Sequence, residues 1–293
     1  MQMLKEKAFA KINLAIDVLG KREDGYHEVE MVMQTLSLHD ELHALRVTDG
    51  QISLISDMHI TQNPEDNLIV RAARLLQERF RPVWGVQLSL KKRIPMEAGL
   101  GGGSADAAAA LRLLVRLWEI SVSREELLEM AALLGADVPF LLAGGTAWAS
   151  QKGEKIESLP SLPTMEVLLI KPPFGVPTPS VYALYDQEEV SPRYASRALK
   201  QRLEMKPDQP IALEEWKQYM HNDLQTVCVR MYPVLQELLE EITKRGGAGM
   251  MSGSGPTLWA VFPTRDVLEE ASQFFENRGN QCFITSTQCA DFF

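Results

Sequence analysis

Between residues 8 and 19 the chain alternates with a period of two. Ala10, Ile12, Leu14, Ile16 and Val18 fall on one face and Phe9, Lys11, Asn13, Ala15 and Asp17 on the other, which predicts a half-buried strand with Lys11 and Asn13 side by side. Asp24-Gly25 marks a tight turn into a second extended segment, residues 26 to 38, so the first two strands form a hairpin with a slightly long connection. Strand patterns follow at residues 41–47 and 51–55. The period then lengthens to predict a helix over residues 68–80, a strand over 84–91, and a helix over 104–119 that is apolar on almost every side and must be buried. Ser123-Arg-Glu-Glu126 is a capping box for a further helix that stops at Gly135, and Gly144-Gly145 separates a short apolar helical turn from a strand at 146–150.

A polar connection at 151–162 divides the chain. Beyond it the pattern predicts strands at 166–171, 249–251, 257–262 and 282–287, and helices at 178–185, 195–203, 234–244 and 265–278. The order is β-α-β-β-α-β with extra helices, as in a split βαβ sandwich. In the first half strands cluster before helices, so neither half reads as a doubly wound parallel fold. The expected architecture is α+β in two domains, residues 1–157 and 158–293.

Composition narrows the setting. With 45% hydrophobic and 24% charged residues the 293-residue chain is that of a folded protein rather than a disordered one. No apolar run is long enough to span a bilayer and the N-terminus lacks the apolar core of a signal peptide, so a cytoplasmic protein without a membrane role is expected. The formal net charge of −9 argues against nucleic acid as a partner and means that an anionic ligand must be met by local positive charge. Cys228, Cys282 and Cys289 are too few and too scattered for a disulfide framework.

The densest chemical signal is the run from Pro95 to Ala108, in which Gly99, Leu100, Gly101, Gly102, Gly103 and Ser104 pass directly into the buried helix. Glycines let backbone N–H groups approach an oxyanion, and a helix start aims its free N–H groups and dipole at the same point. The run has no Walker lysine, lacks the third glycine of a dinucleotide or protein-kinase loop, and does not place Ser104 in a nucleophile elbow. A plain turn capping a buried helix is the competing reading. Asp137, in Leu134-Gly-Ala-Asp-Val-Pro-Phe140, is either an N-cap for the helix that follows or a fixed carboxylate able to take a proton from a hydroxyl. Lys11 is either a solvated strand lysine or the partner of that carboxylate. Residues 251–257, Met-Ser-Gly-Ser-Gly-Pro-Thr, read as a hairpin turn or as a second backbone-rich loop facing the first across a cleft. His39 and His43, four apart, lack the zinc-protease order and read as structural.

Four segments occur together in order: Ala10-Lys-Ile-Asn-Leu14, residues 95–108, Gly135-Ala-Asp-Val-Pro139 and residues 251–257. Their combination resembles the GHMP kinases, the family of galactokinase, homoserine kinase, mevalonate kinase and phosphomevalonate kinase. With Arg22-Glu-Asp-Gly-Tyr-His27, the match is strongest to members whose substrate carries a cytidine diphosphate. The resemblance implies a nucleotide-binding N-terminal domain like the second domain of ribosomal protein S5, a ferredoxin-like C-terminal domain, and an active site in the cleft between them. It implies ATP as phosphoryl donor with Mg²⁺, and a small-molecule acceptor.

By the same resemblance Pro95 and residues 99–104 wrap the ATP phosphates, with Asn67 and Lys92 near the nucleotide. Asp137 is the general base, and Lys11 orients it and offsets phosphoryl charge. Tyr26 and His27 hold the cytidine end, Tyr182 offers a second aromatic face, and Asn13 reaches a substrate hydroxyl. Two departures stand out. Ala105 replaces a serine common in relatives, and no glutamate stands out as a magnesium ligand, so the metal ligands stay unassigned. A monomer or a homodimer is expected.

Overall fold

The computed structural model describes residues 3–58, 61, 63–188, 193–207 and 209–289. Two long antiparallel strands, β1 (Met3–Lys21) and β2 (His27–Val47), carry the first half. The strand β3 (Ile52–Ser56) leads through helix α1 (Leu68–Phe80) to β4 (Gly85–Lys91), which lies parallel to β3, the expected outcome of a helical crossover. The buried helix α2 (Gly102–Leu117), then α3 (Arg124–Leu134) and α4 (Val138–Ala143), precede β5 (Thr146–Gln151) and β6 (Lys155–Ser158). The sheet order is β3-β4-β2-β5-β6, with β1 on the other edge of β2.

Residues 26–47 depart from the expected pair of strands by forming one continuous β2. The polar Asp40 does not break it, because this fully buried carboxylate accepts the backbone N–H groups of Arg93 and Ile94 and the ammonium of Lys92. The expected half-burial of β1 is also exceeded, since every residue from Ala10 to Val18 is buried. Helix α2 covers one side, and the second half of the chain covers the rest. Trp259 donates its indole N–H to the Asn13 carbonyl at 3.0 Å, and the Ile16 N–H reaches the His221 carbonyl at 2.8 Å. Strand β6 falls inside the expected polar connection. Its residues are mostly exposed, so it carries no hydrophobic alternation to read.

The second half opens with β7 (Glu166–Lys171), passes through helices α5 (Thr178–Tyr185), α6 (Ala195–Met205), α7 (Leu213–Tyr219), α8 (Asp223–Met231) and α9 (Pro233–Lys244), and closes with β8 (Ala248–Met251), β9 (Leu258–Val261), α10 (Arg265–Glu276) and β10 (Gln281–Ser286). Its antiparallel sheet has the order β10-β7-β9-β8, the split βαβ arrangement expected. Helices α7 and α8 had no counterpart in the sequence reading. They are short, and α8 is fixed by a cap in which the Asn222 side chain accepts from the Leu224 N–H at 3.0 Å. The two halves are joined through the fully buried Trp216 and Trp259, edge to face at 5.9 Å, and through β2, whose Thr35 carbonyl accepts from the Gln288 N–H at 2.9 Å.

Candidate active site

The loop from β4 to α2 closes on a cavity of about 880 Å³ that both halves line. Helix α2 begins at Gly102, two residues earlier than its apolar pattern suggests. Gly101 stands at the N-cap with φ 69° and no side chain to offer. The first intrahelical bond runs from the Ala105 N–H to the Gly101 carbonyl at 2.8 Å, so the N–H groups of Gly102, Gly103 and Ser104 have no helical acceptor. All three residues line the cavity. The helix dipole adds partial positive charge there, which suits a phosphate.

Gly99 has φ +74°, and a Cβ at that position would lie 2.2 Å from the Ser252 carbonyl oxygen, so no other residue fits without moving the backbone. The loop of residues 252–257 therefore braces the first loop from behind. The Ser252 hydroxyl donates to the Gly99 carbonyl at 2.9 Å and the Thr257 N–H reaches the Ala98 carbonyl at 3.4 Å. Gly253 and Ser254 also line the cavity, as do Pro95 and Leu100. The Lys11 N–H donates to the Leu100 carbonyl at 3.0 Å, tying β1 to the same loop.

Lys11 and Asp137 meet at the floor of the cavity. Lys11 is buried, its ammonium 3.4 Å from Asp137 Oδ2 and 2.8 Å from Asn13 Oδ1. Two register shifts in the pairing of β1, after Phe9 and after Asn13, bracket these residues, a device that re-aims side chains locally. Asp137 does occupy the N-cap position of α4, yet its side chain makes no capping bond. That leaves the carboxylate for Lys11 and the cavity. Asn13 donates to the Met31 sulfur at 3.0 Å, so its amide is oriented with the carbonyl oxygen toward Lys11.

At the other end of the cavity Tyr26 stands 62% exposed beside the turn at Gly25, with the Lys152 ammonium 4.8 Å from its ring centroid. His27 begins β2. Tyr182 stacks on the His27 ring, centroids 4.6 Å apart and planes at 29°. The resemblance offers the Tyr182 ring to a base; in the structure one face of that ring lies against His27. Burial, and then the nearby Asp137 carboxylate, push the Tyr182 phenol up from its ordinary value, so it stays protonated.

Two further residues take structural partners. The Asn67 carbonyl oxygen caps α1 through the Ile69 N–H at 2.9 Å, and Asn67 is not on the cavity wall, where its neighbour Leu68 is. Lys92 reaches the wall but its buried ammonium binds Asp106 at 2.8 Å and also Asp40. Burial draws the Lys92 pKa down and its contacts with Asp106 and Asp40 more than reverse this, so the net shift is upward. Lys21, at the end of β1, also lines the cavity, as do Asp186, Lys152 and Thr178, which the sequence reading did not single out. The last three lie on segments with no motif of their own. Outside the cavity, Asp17, His221 and Asp223 cluster closely enough to suggest a metal. Their oxygens are taken by the N–H groups of Ala195, Ser196 and Val18, the Ser196 hydroxyl and the His221 ring. The cluster therefore fastens α6 and α8 to β1.

The chain is similar to known proteins along nearly all of its length. The model of the GHMP kinases N terminal domain matches residues 67–145, and that of the GHMP kinases C terminal matches residues 210–281. A 4-diphosphocytidyl-2-C-methyl-D-erythritol kinase of Pelotomaculum thermopropionicum is 41% identical over 96% of this chain and 96% of its own length. One from Lachnospira eligens is 36% identical over 98% of this chain and 99% of its own length. A crystal structure of 4-(cytidine 5'-diphospho)-2C-methyl-D-erythritol kinase superimposes with a TM-score of 0.80 at 31% identity, covering 98% of this chain and all of that one. Homoserine kinase from Cytophaga hutchinsonii, at 14% identity and a TM-score of 0.75 over 99% of this chain and 96% of that one, shares the fold.

Proposed function

The chain belongs to the GHMP kinase family, and we propose that it moves the γ-phosphoryl group of ATP to the 2-hydroxyl of 4-diphosphocytidyl-2-C-methyl-D-erythritol, a step of the non-mevalonate route to isoprenoid precursors. The observation that carries this reading is the Lys11–Asp137 pair at 3.4 Å, set in one cavity between a helix N-terminus free to take phosphate and an aromatic wall. The residues of 1–157 supply the first, and those of 158–293 complete the second.

Phosphoryl transfer asks a protein mainly for alignment and charge neutralisation. The N–H groups of Gly102, Gly103 and Ser104 hold the ATP phosphates. Asp137 takes the proton of the attacking hydroxyl as the new O–P bond forms and the bond to the ADP oxygen breaks. Lys11 keeps Asp137 placed and offsets negative charge at the transferred group. Asn13, hydrogen-bonded to Lys11, faces the acceptor alcohol, and Tyr26, His27 and Tyr182 wall the cytidine end. Mg²⁺ fits this setting as a hard cation met by oxygen. The Ser104 hydroxyl, which lines the cavity with no hydrogen bond to a described residue, would be free to hold it beside the ATP phosphates. Bound there, the ion would supply charge neutralisation.

We place the enzyme in the cytoplasm, as a monomer or a homodimer; no helix among the described residues is long and apolar enough to cross a membrane. The test is ADP release against a panel of the cytidyl substrate, mevalonate, homoserine and galactose. Turnover with the cytidyl substrate alone is expected, and turnover with another member in its place would reject the assignment.

A further inference from the structure

Helix α5 grips the His27 ring from two directions. Tyr182 lies against its face at 4.6 Å, and Asp186, one turn further along, meets its edge, with Oδ1 2.5 Å from Nε2. Residues four apart on a helix project from the same side, so one face of α5 supplies both contacts. The second oxygen of Asp186 is held by the ammonium of Lys21 at the end of β1. Asp186 thus ties the ends of β1 and β2, in the first half of the chain, to a helix in the second. Hydrogen bonds from Lys21 and then His27 hold its carboxyl below the usual range. A carboxylate only accepts hydrogen bonds, so the proton between the two residues sits on Nε2. The other ring nitrogen, Nδ1, has no hydrogen-bond partner among the described residues, and His27 lines the cavity.

We propose that Asp186 is a positioning residue for nucleobase recognition: it fixes His27 as the Nε2–H tautomer, so that the ring offers Nδ1 as a hydrogen-bond acceptor to the base. The inference rests on the reading of His27 as part of the cytidine wall. With the proton on Nε2, Nδ1 takes a donor from its ligand. Cytosine carries an amino group at carbon 4 where uracil carries a carbonyl oxygen, so the fixed tautomer favours a cytidine diphosphate over a uridine diphosphate. A ring released from Asp186 can exchange tautomers or turn over, and then either base finds a matching nitrogen.

The test compares wild type, Asp186→Ala, Asp186→Asn and His27→Ala. Long-range ¹H–¹⁵N spectra of the His27 ring, recorded without ligand, report the tautomer, and steady-state kinetics use the cytidyl substrate and its uridyl analogue. The wild-type ring shows the Nε2–H form and Asp186→Ala a mixture. The loss of one oriented hydrogen bond raises KM for the cytidyl substrate about tenfold in Asp186→Ala, narrows the cytidyl preference roughly threefold, and moves KM for ATP less than about twofold. Asp186→Asn, matched in size and still able to accept from Nε2, falls between. An unchanged tautomer in Asp186→Ala overturns the inference. So does an unchanged KM or base preference in Asp186→Ala when His27→Ala alters both. If His27→Ala leaves KM for the cytidyl substrate unchanged, the reading of His27 falls and the inference with it.

Discussion

The Lys11 ammonium lies 3.4 Å from Asp137 Oδ2, although one residue belongs to the first strand and the other follows the third helix. The contact is buried on the lysine side and about 29% exposed on the carboxylate side. That asymmetry fits a fixed cation supporting a carboxylate which must still reach a ligand.

Asp137→Asn tests the carboxylate as base. The amide keeps the shape and can still accept from Lys11, but it cannot take the hydroxyl proton. Turnover is expected to fall at least about 10²-fold while ATP affinity stays within a few-fold. Single-turnover kinetics with isothermal titration of ATP separates the two, and near-wild-type turnover would remove Asp137 from the role.

Much of this site is legible in the sequence because its parts are backbone devices with local signatures. A glycine run entering an apolar helix gives Gly99 to Ser104, and alternation along residues 8–19 puts Lys11 and Asn13 on one face. Distance is what local pattern omits. Whether Asp137 caps its helix or turns to Lys11 depends on a strand far away in sequence, and the structure shows no capping bond. The same limit hid Asp186, whose partners Lys21 and His27 come from β1 and β2. It also hid the second role of Lys92, because nothing near Lys92 announces that Asp40 and Asp106 converge on it.

Tyr26 tests the cytidine end with little risk to the fold, since 62% of its surface is already exposed. Tyr26→Ala removes an aromatic face worth about 1–3 kcal/mol by analogy with base stacking in single-strand binders. KM for the cytidyl substrate is expected to rise about tenfold or more, with KM for ATP little changed. Equal effects on both constants would place Tyr26 outside the acceptor site.

Two glycines with similar backbone conformations separate strain from collision. Gly25 has φ +85° and open space around it, whereas Gly99 has φ +74° and the Ser252 carbonyl where a Cβ would stand. Gly25→Ala is expected to lower stability by about 1–2 kcal/mol through the left-handed backbone alone. Gly99→Ala adds overpacking of about 1–3 kcal/mol and displaces the phosphate loop. Urea unfolding and ATP titration of both variants give the comparison. Equal stability losses with unaltered ATP binding would show that the loop is not braced by Ser252.

Asp106 predicts how stability depends on pH. Burial, opposed by Lys92 and reinforced by Asp40, pushes its carboxyl up to about 8. The ordinary unfolded value is near 3.9, so between about pH 4 and 8 the folded chain holds a proton that the unfolded chain has released. Stability contributed by that proton is full below the unfolded pKa and is lost as pH rises through the folded one. Wild type should therefore lose stability from pH 5 to pH 8.5 through this residue. Asp106→Asn, neutral throughout and of the same size, should lose less over that interval. Lys92→Met has the opposite character, because it leaves two buried carboxyls facing each other without a cation, and the penalty is about 3–5 kcal/mol at neutral pH. Urea midpoints of the three proteins at pH 5, 7 and 8.5 decide the matter. Parallel pH curves for wild type and Asp106→Asn would mean that Asp106 is already ionised in the folded state, with Lys92 outweighing its burial.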